Sequence, residues 1–453
     1  MILSFRFSFI QYFVLVLMAM TASYFIPPIQ SPDENQHFAR AYMLSKGDFL
    51  LETIPGKMSG GYIDDGLHEF IKGNLQISGQ PDKKLSTEEK IKLKNLRWSK
   101  SGEKTFMEIP GTGFYFPLIY LPHAIPIKIG EISNISIYQT YLLTRFFLIS
   151  ISIALMMWAF SMVSPSVATL NVLMLPMSMF QLLSPTLDGL TTSLSLVSIA
   201  IFYNFSSRPH AAKSFYILMG CAILVASTRI HLLPIIIFLF MASYYSRSKS
   251  FLALSIASLI STLLWVAFSI KITVDNRIPR DFSTFEIIQH YIFHPFDFLG
   301  VFFNTISNPE MLAFYQQSFI GKLGWLDTLL PAWHYSWLFT FIILFFIAGI
   351  FSENLSKPHL STRVTILVVA FSSMLAIFAA LLVSWTPHPA TIINGIQGRY
   401  FTVPVLLLAY ATHGIFPCKS KKFDFSIKNL LILFFLFSIY SMLSALQERF
   451  TNF

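Results

Sequence analysis

The sequence has 453 residues, of which 54% are hydrophobic and only 12% are charged. Soluble domains are about one quarter charged, so this composition excludes a disordered chain, a coiled coil and an ordinary cytosolic enzyme. It predicts a membrane protein with several spans. We interpret the net charge of +9 as orienting loops and contacting anionic headgroups. Nucleic-acid binding is not expected, because no basic stretch belongs to a soluble fold.

The expected architecture is an all-α bundle of about eleven transmembrane helices in one polytopic domain over residues 1–453. The first apolar run follows Arg6, is long for a signal peptide and lacks a clear cleavage site, so we expect an uncleaved signal-anchor helix. Two short runs are separated only by Arg229, and one of them is expected to be bent or re-entrant. The runs cover residues 7–26, 138–161, 166–183, 188–205, 214–228, 230–245, 250–272, 335–351, 363–384, 400–416 and 429–446.

Positive charge is unevenly distributed between the loops. If the amino terminus is cytoplasmic, the short connections at 184–188 and 385–397 face outward and contain no Lys or Arg, as the positive-inside rule requires. The two long loops, 27–137 and 273–334, then face the periplasm of a bacterial inner membrane. The cytoplasmic connections contain Arg208, Lys213, Arg247, Lys249, Lys357, Arg363, Lys419, Lys421, Lys422 and Lys428.

The long loops contain three capping-box patterns, in which Ser is followed three residues later by Glu. The first, at 31–34, has Pro at the first helical position and precedes apolar residues at helical spacing, which predicts an amphipathic helix on the membrane surface. The second, at 86–89, begins a basic helix, and the third, at 283–286, begins a Phe-rich helix. Together these helices are expected to form a cap over the bilayer.

Candidate functional residues lie where apolar runs meet the outer loops. Ionisable groups at membrane depth are costly and are functional candidates by default. The sequence has no phosphate-binding glycine loop, GxGxxG, D-x-D, nucleophile elbow or H-E-x-x-H motif, which argues against sugar nucleotides and ATP as direct substrates. The candidates are Asp33, Glu34, His37, Asp188, Arg229, His231, Gln397, Arg399 and Tyr400.

Each candidate also has a structural explanation. Glu34 fits the third position of a capping box, whereas Asp33 is not needed for capping and is left free for chemistry. Asp188 either caps the fourth span or belongs to a site. Arg229 and Arg399 either belong to a functional site or are structural residues that snorkel or pair with these acids. Histidines such as His37 and His231 often have a structural role.

Several motifs, taken in order, resemble those of a bacterial family of predicted membrane proteins of unknown function. The stretch SPDENQHFARAY at 31–42 and the stretch QGRYF at 397–401 carry most of the resemblance. Residues 184–190, 321–328 and the proline-aromatic stretch 115–122 are also similar to that family. The resemblance spans most of the chain.

That family is similar in layout to the GT-C glycosyltransferases, which are multi-span enzymes that use polyprenyl-phosphate sugars. The resemblance implies inverting transfer to a surface polysaccharide or lipid, such as an O-antigen or lipopolysaccharide, at the periplasmic face. It implies that Asp33-Glu34 is the catalytic pair with Asp33 as the base, and that Arg399 and Arg229 bind the donor phosphate. The other residues expected to contact substrate are His37, Asp188, His231, Gln397 and Tyr400.

Two other functions stay open. One is a glycan polymerase or ligase that uses a lipid-diphosphate glycan, and the other is a transporter or flippase for a lipid-linked sugar. Transporters usually show repeats and helices broken midway, whereas no repeat is evident here and the polar residues lie at one membrane side. No cofactor is expected, since no clear metal-ligand set is evident, although a role for a divalent metal stays open. The expected partners are the donor, the acceptor and membrane lipids.

The loop charges make the orientation testable. Reporter fusions at Lys357 and Lys421 are expected to read cytoplasmic, and fusions within 86–104 and 307–330 are expected to read periplasmic. A cytoplasmic signal from 86–104 would contradict the orientation, because the acidic candidates would then face the other compartment.

Overall fold

The computed structural model describes residues 8–100, 102–205, 211–279, 281–353, 358–418 and 420–451. The protein is mostly helical, at 72%, as the composition predicts. Three of the predicted cytoplasmic cations, Arg208, Lys357 and Lys419, lie outside the described residues, as does Arg6. The α-helices are α1 Phe9–Ser23, α2 Glu34–Lys46, α3 Asp65–Leu75, α4 Thr87–Asn95, α5 Leu121–Ile132, α6 Ile137–Met162, α7 Val167–Leu173, α8 Pro176–Leu183, α9 Leu187–Phe205, α10 Ala212–Thr228, α11 Ile237–Ser246, α12 Lys249–Ile272, α13 Thr284–Phe293, α14 Pro295–Ile306, α15 Pro309–Ile320, α16 Ala332–Phe351, α17 Leu360–Trp385, α18 Thr402–Thr412 and α19 Lys421–Phe450.

Short 3-10 helices and one small sheet complete the fold. The 3-10 helices cover Pro110–Thr112, Pro117–Tyr120, Ile230–Ile236 and Gly398–Phe401. The strands β1 (Gly60–Asp64) and β2 (Lys104–Glu108) pair antiparallel, with Gly60 opposite Glu108. The sheet was not predicted from the sequence.

Five helices within the described ranges are long and apolar enough to cross a membrane: α6, α12, α16, α17 and the Phe425–Phe450 part of α19. The pair α8 and α9 bends by 106° and counts as a sixth span if the two helices are taken together. The shorter apolar helices are α1, α10 and the Ile230–Ser246 segment. The chain is therefore a multi-pass membrane protein.

Some predicted spans are broken. The third run contains α7 and α8, which separate before Pro176, since proline cannot donate the backbone bond that would continue a helix. The tenth run begins as a 3-10 turn before the eleven-residue α18. The irregularity expected near Arg229 is found in the 3-10 segment Ile230–Ile236, which contains Pro234.

Helix α2 is buried inside the protein. It begins at Glu34 and not at Pro32, and both Phe38 and Ala41 are 0% exposed. Because α5, β1 and the loop 3-10 helices pack around it, the prediction of an amphipathic helix on the membrane surface is wrong. This packing fixes the residues at the start of α2 relative to the membrane helices.

The other two capping boxes are confirmed. The hydroxyls of Ser86 and Ser283 accept from the N3 amides, and the side chains of Glu89 and Glu286 bond back to the cap amides. Helix α13 exposes large apolar side chains, including Phe293 at 70%. Such a face suits the membrane interface.

Gly398 packs directly against the backbone of α15. A Cβ atom at this position would lie 2.1 Å from the Phe319 nitrogen and 2.2 Å from the Tyr315 oxygen. Its amide donates to the Ser318 hydroxyl at 2.7 Å. The backbone of α15 therefore fills the space beside Gly398.

Gly398→Ala is expected to destabilise the protein by about 1–3 kcal/mol, the usual cost of overpacking. The measurement is the thermal melting of the detergent-purified variant. Gly220→Ala is the matched control, since a Cβ there meets nothing within 4 Å. Equal melting of Gly398→Ala and the wild type would contradict this packing.

Candidate functional site

Two arginines and two carboxylates from distant parts of the chain form one ion-pair cluster. Arg399 donates from Nη2 to Asp33 Oδ2 at 2.8 Å and from Nη1 to Asp188 Oδ2 at 3.1 Å. Arg229 pairs with the other oxygen of Asp188. The structure brings these four candidate residues together, and their formal charges cancel.

Arg399 is the centre of the cluster and its side chain is 2% exposed. Its Nε donates to Gln397 Oε1 at 2.7 Å, and its guanidinium carbon lies 5.4 Å from the centre of the Tyr400 ring. A planar guanidinium can hold two acceptors at once through its separate donor groups. The stretch 397–400 therefore supplies both the cation and the groups that orient it.

Asp33 occupies a strained backbone position at the start of α2. Its φ is 63°, in the left-handed region, and Ile29 four residues earlier has the same φ. A β-branched residue rarely adopts this conformation, and such strain persists only where the surroundings enforce it. The Asp33 side chain is 42% exposed, so this turn presents a carboxylate that is held by Arg399 and still accessible.

Glu34 holds that turn in place. Its carboxylate accepts from the Ile29 amide at 3.1 Å and from the Ser31 amide at 2.8 Å. Only half of the predicted capping box forms, because the Glu34 amide donates to the Ser31 carbonyl oxygen, whereas the Ser31 hydroxyl donates to Gln181 Oε1. Glu34 is 0% exposed, and its bonds fix the backbone that carries Asp33.

A buried network joins Glu34 to the membrane helices. The Tyr141 hydroxyl donates to Glu34 at 2.5 Å and accepts from Arg145. Arg145 also donates to the carbonyls of Ser23 at 2.9 Å and Ile26 at 3.0 Å. Sequence reasoning missed this network, although an arginine inside the apolar run 138–161 was a signal that could have revealed it.

His37 lies on the next turn of α2 beside two tyrosines. Its Nδ1 is 2.8 Å from the Tyr120 hydroxyl, and its ring stacks on Tyr115 at 5.9 Å. Arg229 donates to the Tyr115 hydroxyl at 3.2 Å. Sequence reasoning noticed both tyrosines as part of a motif but did not assign them to the site.

The electrostatics of this turn keep Asp33 ionised and His37 neutral. Partial burial alone would raise the pKa of the Asp33 carboxyl, but the neighbouring positive charges, that of Arg399 first, together outweigh this effect and the pKa falls below its usual value. Burial, followed by the positive charge of Arg229, lowers the pKa of His37 to about 4. Near neutral pH the site thus offers a carboxylate acceptor and an uncharged imidazole.

A cavity adjoins the cluster. It encloses about 630 Å³ of space free of atoms, including its open mouth. Asp188, Arg229 and Arg399 line one part of it, together with His231 and Tyr400, whose rings lie 5.9 Å apart. The remaining wall combines the apolar side chains of Met156, Leu173, Leu182, Leu232 and Val403 with the polar side chains of Ser178, Gln181, Thr191, Thr192 and Thr402.

Arg277 is a further cation near Asp33 that sequence reasoning did not name. It pairs with Asp275 at 2.6 Å, and its guanidinium carbon lies 4.7 Å from the Trp385 ring centre. Its charge is close enough to Asp33 for the two to interact. Arg277 lies in the loop before α13 and belongs to no recognisable sequence motif, so the sequence did not reveal it.

The fold and the site define a multi-pass helical membrane protein with a partly buried, charge-balanced cluster of two arginines and two carboxylates beside a cavity. The model of the predicted membrane protein family DUF2142 matches residues 13–409, and the chain belongs to this family. The family resemblance expected from the sequence is thereby confirmed. No curated protein and no solved structure matches the chain.

Proposed function

We propose that this protein is an inverting glycosyltransferase that moves a sugar from a polyprenyl-phosphate donor to a surface polysaccharide or lipid acceptor. We further propose that its helices form a GT-C-like bundle of about eleven spans in a bacterial inner membrane, with the site facing the periplasm. The observation that carries the proposal is a partly exposed, ionised carboxylate, Asp33, that is paired with the buried Arg399, which lines a cavity together with Arg229. A lipid-linked sugar phosphate requires this combination of groups.

In the proposed reaction Asp33 is the general base. Its carboxylate accepts the proton from an acceptor hydroxyl as that oxygen attacks the anomeric carbon of the sugar. The bond from the anomeric carbon to the phosphate oxygen breaks at the same time, so the configuration inverts. Helix packing and the Glu34 bonds support this role, because they hold the carboxylate in one position.

Arg399 and Arg229 would stabilise the departing phosphate. Negative charge grows on the phosphate as the bond breaks, and guanidinium groups in a water-poor site stabilise it strongly. Asp188 pairs with both arginines, so it orients them and offsets their charge before the donor enters. The apolar side chains in the cavity wall suit the first isoprene units of the carrier lipid.

Glu34 has a different role in this proposal from Asp33. Its side chain is 0% exposed and is occupied by two amides and the Tyr141 hydroxyl. It is therefore a positioning residue, and His37, His231, Gln397 and Tyr400 shape the surroundings of the substrate.

Asp33→Asn is expected to reduce sugar transfer on the order of a hundredfold or more, the usual contribution of general-base catalysis. Asn is nearly isosteric with Asp and tolerates a left-handed backbone, so folding should survive. Glu34→Gln should lose less activity, since its amide oxygen can still accept from the backbone. The measurement is transfer from a synthetic polyprenyl-phosphate sugar by each purified variant, with the exposed Asp82→Asn as the matched control.

Near-normal turnover of Asp33→Asn together with an inactive Glu34→Gln would reverse the two roles. Full activity of both variants would remove the pair from the chemistry. Intact movement of a lipid-linked sugar across the bilayer, without transfer, would identify a flippase.

Arg399→Lys is expected to be well expressed but to lose most activity. Lysine keeps the charge, yet it lacks the planar fork that reaches Asp33, Asp188 and a phosphate together. The measurement is the apparent affinity and rate for the same donor, and the exposed Arg247→Lys serves as control. A fully active Arg399→Lys would make Arg399 a structural anchor and leave Arg229 as the phosphate ligand.

A further inference from the structure

A cluster of three potential metal ligands lies in the second long loop, away from the ion pairs. His290 on α13, His294 at the end of that helix and Asp297 in the first turn of α14 bring their ligand atoms within 4.8 Å of one another. His290 Nε2 lies 3.1 Å from Asp297 Oδ2. Two ligands of a tetrahedral zinc ion at 2.0–2.1 Å are roughly 3.3 Å apart, so this pair already has the required spacing.

A hydrogen bond fixes one imidazole in the form that binds metal. His294 Nδ1 lies 3.0 Å from the carbonyl oxygen of His290. A carbonyl oxygen only accepts, so Nδ1 must carry the proton and Nε2 keeps its lone pair. Metal-binding histidines typically have this arrangement, in which the second nitrogen donates to a carbonyl or carboxylate.

A third histidine packs against the cluster from another part of the chain. The ring of His388, in the segment after α17, lies 4.8 Å from the His290 ring. Its Nδ1 is enclosed and has no hydrogen-bond partner among the described residues. A side-chain rotation that brings a nitrogen of His388 towards the cluster would add a fourth ligand and give it a partner.

We propose that His290, His294 and Asp297 bind one divalent transition-metal ion of the zinc class, with His388 as the fourth ligand. Imidazole and carboxylate groups suit zinc in a four-coordinate site. The cluster is open to solvent, with His290 34% and Asp297 55% exposed at the side chain, so an ion can enter. The site is separate from the proposed transfer reaction and does not depend on it.

Such an ion would fasten two segments of the chain to each other. It would close the corner between α13 and α14 and attach it to segment 386–397, which leads directly to Arg399. The Ile393 amide already donates to Thr305 on α14 at 2.9 Å. The metal would therefore reinforce an existing contact and stiffen the segment that carries Arg399.

The test is Zn(II) binding to purified protein that carries an affinity tag without histidine. Calorimetric titration should give one ion per chain, and Co(II) should give visible absorption typical of low coordination number. His294→Gln and Asp297→Asn are each expected to weaken Zn(II) binding at least tenfold and to abolish the Zn(II)-dependent rise in melting temperature. His359→Gln, an exposed histidine at the other end of α17, is the matched control and should bind as the wild type does.

The His388→Gln variant tests whether His388 is the fourth metal ligand. A weaker affinity and a changed Co(II) spectrum are expected, whereas unchanged values would remove His388 from the site. Equal Zn(II) affinity in the wild type, His294→Gln and Asp297→Asn would overturn the whole proposal. So would a wild-type protein that binds neither ion at micromolar concentration.

Discussion

The site depends on one buried guanidinium, that of Arg399, which joins three regions of the chain. It holds Asp33 from the first long loop and Asp188 from the start of a membrane helix, while its own segment packs on α15. Burying a charge is expensive, and removing one member of a buried pair leaves the other uncompensated. The balance of two arginines and two carboxylates therefore constrains how the helices and the outer loop can pack.

A second network determines where Asp33 stands. Arg145 on α6 donates to the Ser23 carbonyl at the end of α1 and to the Tyr141 hydroxyl. The Tyr141 hydroxyl donates to Glu34, whose carboxylate accepts from the amides of the strained turn. The Trp325 indole also donates to the Ile29 carbonyl at 3.0 Å. These bonds hold the backbone of Ile29 and Asp33 in the left-handed conformation, which the local sequence alone would not maintain. The strained turn and the accessible carboxylate thus belong to the same structural feature.

The sequence predicted much of this arrangement because charge inside an apolar composition is conspicuous. Asp33, Asp188, Arg229 and Arg399 were found as ionisable groups at span ends, where each demands a partner. The burial of α2 was not predictable, because apolar residues at helical spacing indicate one covered face and do not reveal that α5, β1 and the loop 3-10 helices surround the helix. The two five-residue strands were missed for a related reason, since short strands gain their stability from pairing and not from local preference. The requirement for glycine at position 398 was not predictable, because the helix that packs against Gly398 lies about eighty residues earlier in the chain.

We propose that the protein transfers a sugar from a lipid monophosphate at the ion-pair cluster. Identifying the lipid phosphate that is released tests this proposal most directly. Purified protein in liposomes would be given a polyprenyl-phosphate sugar and an acceptor glycan, and the lipid product and the new anomeric linkage would be identified by mass spectrometry and NMR. The account predicts that one polyprenyl monophosphate is released for each sugar transferred, with inverted configuration. Release of a polyprenyl diphosphate from a lipid-diphosphate glycan in place of this reaction, or retention of configuration, would contradict it.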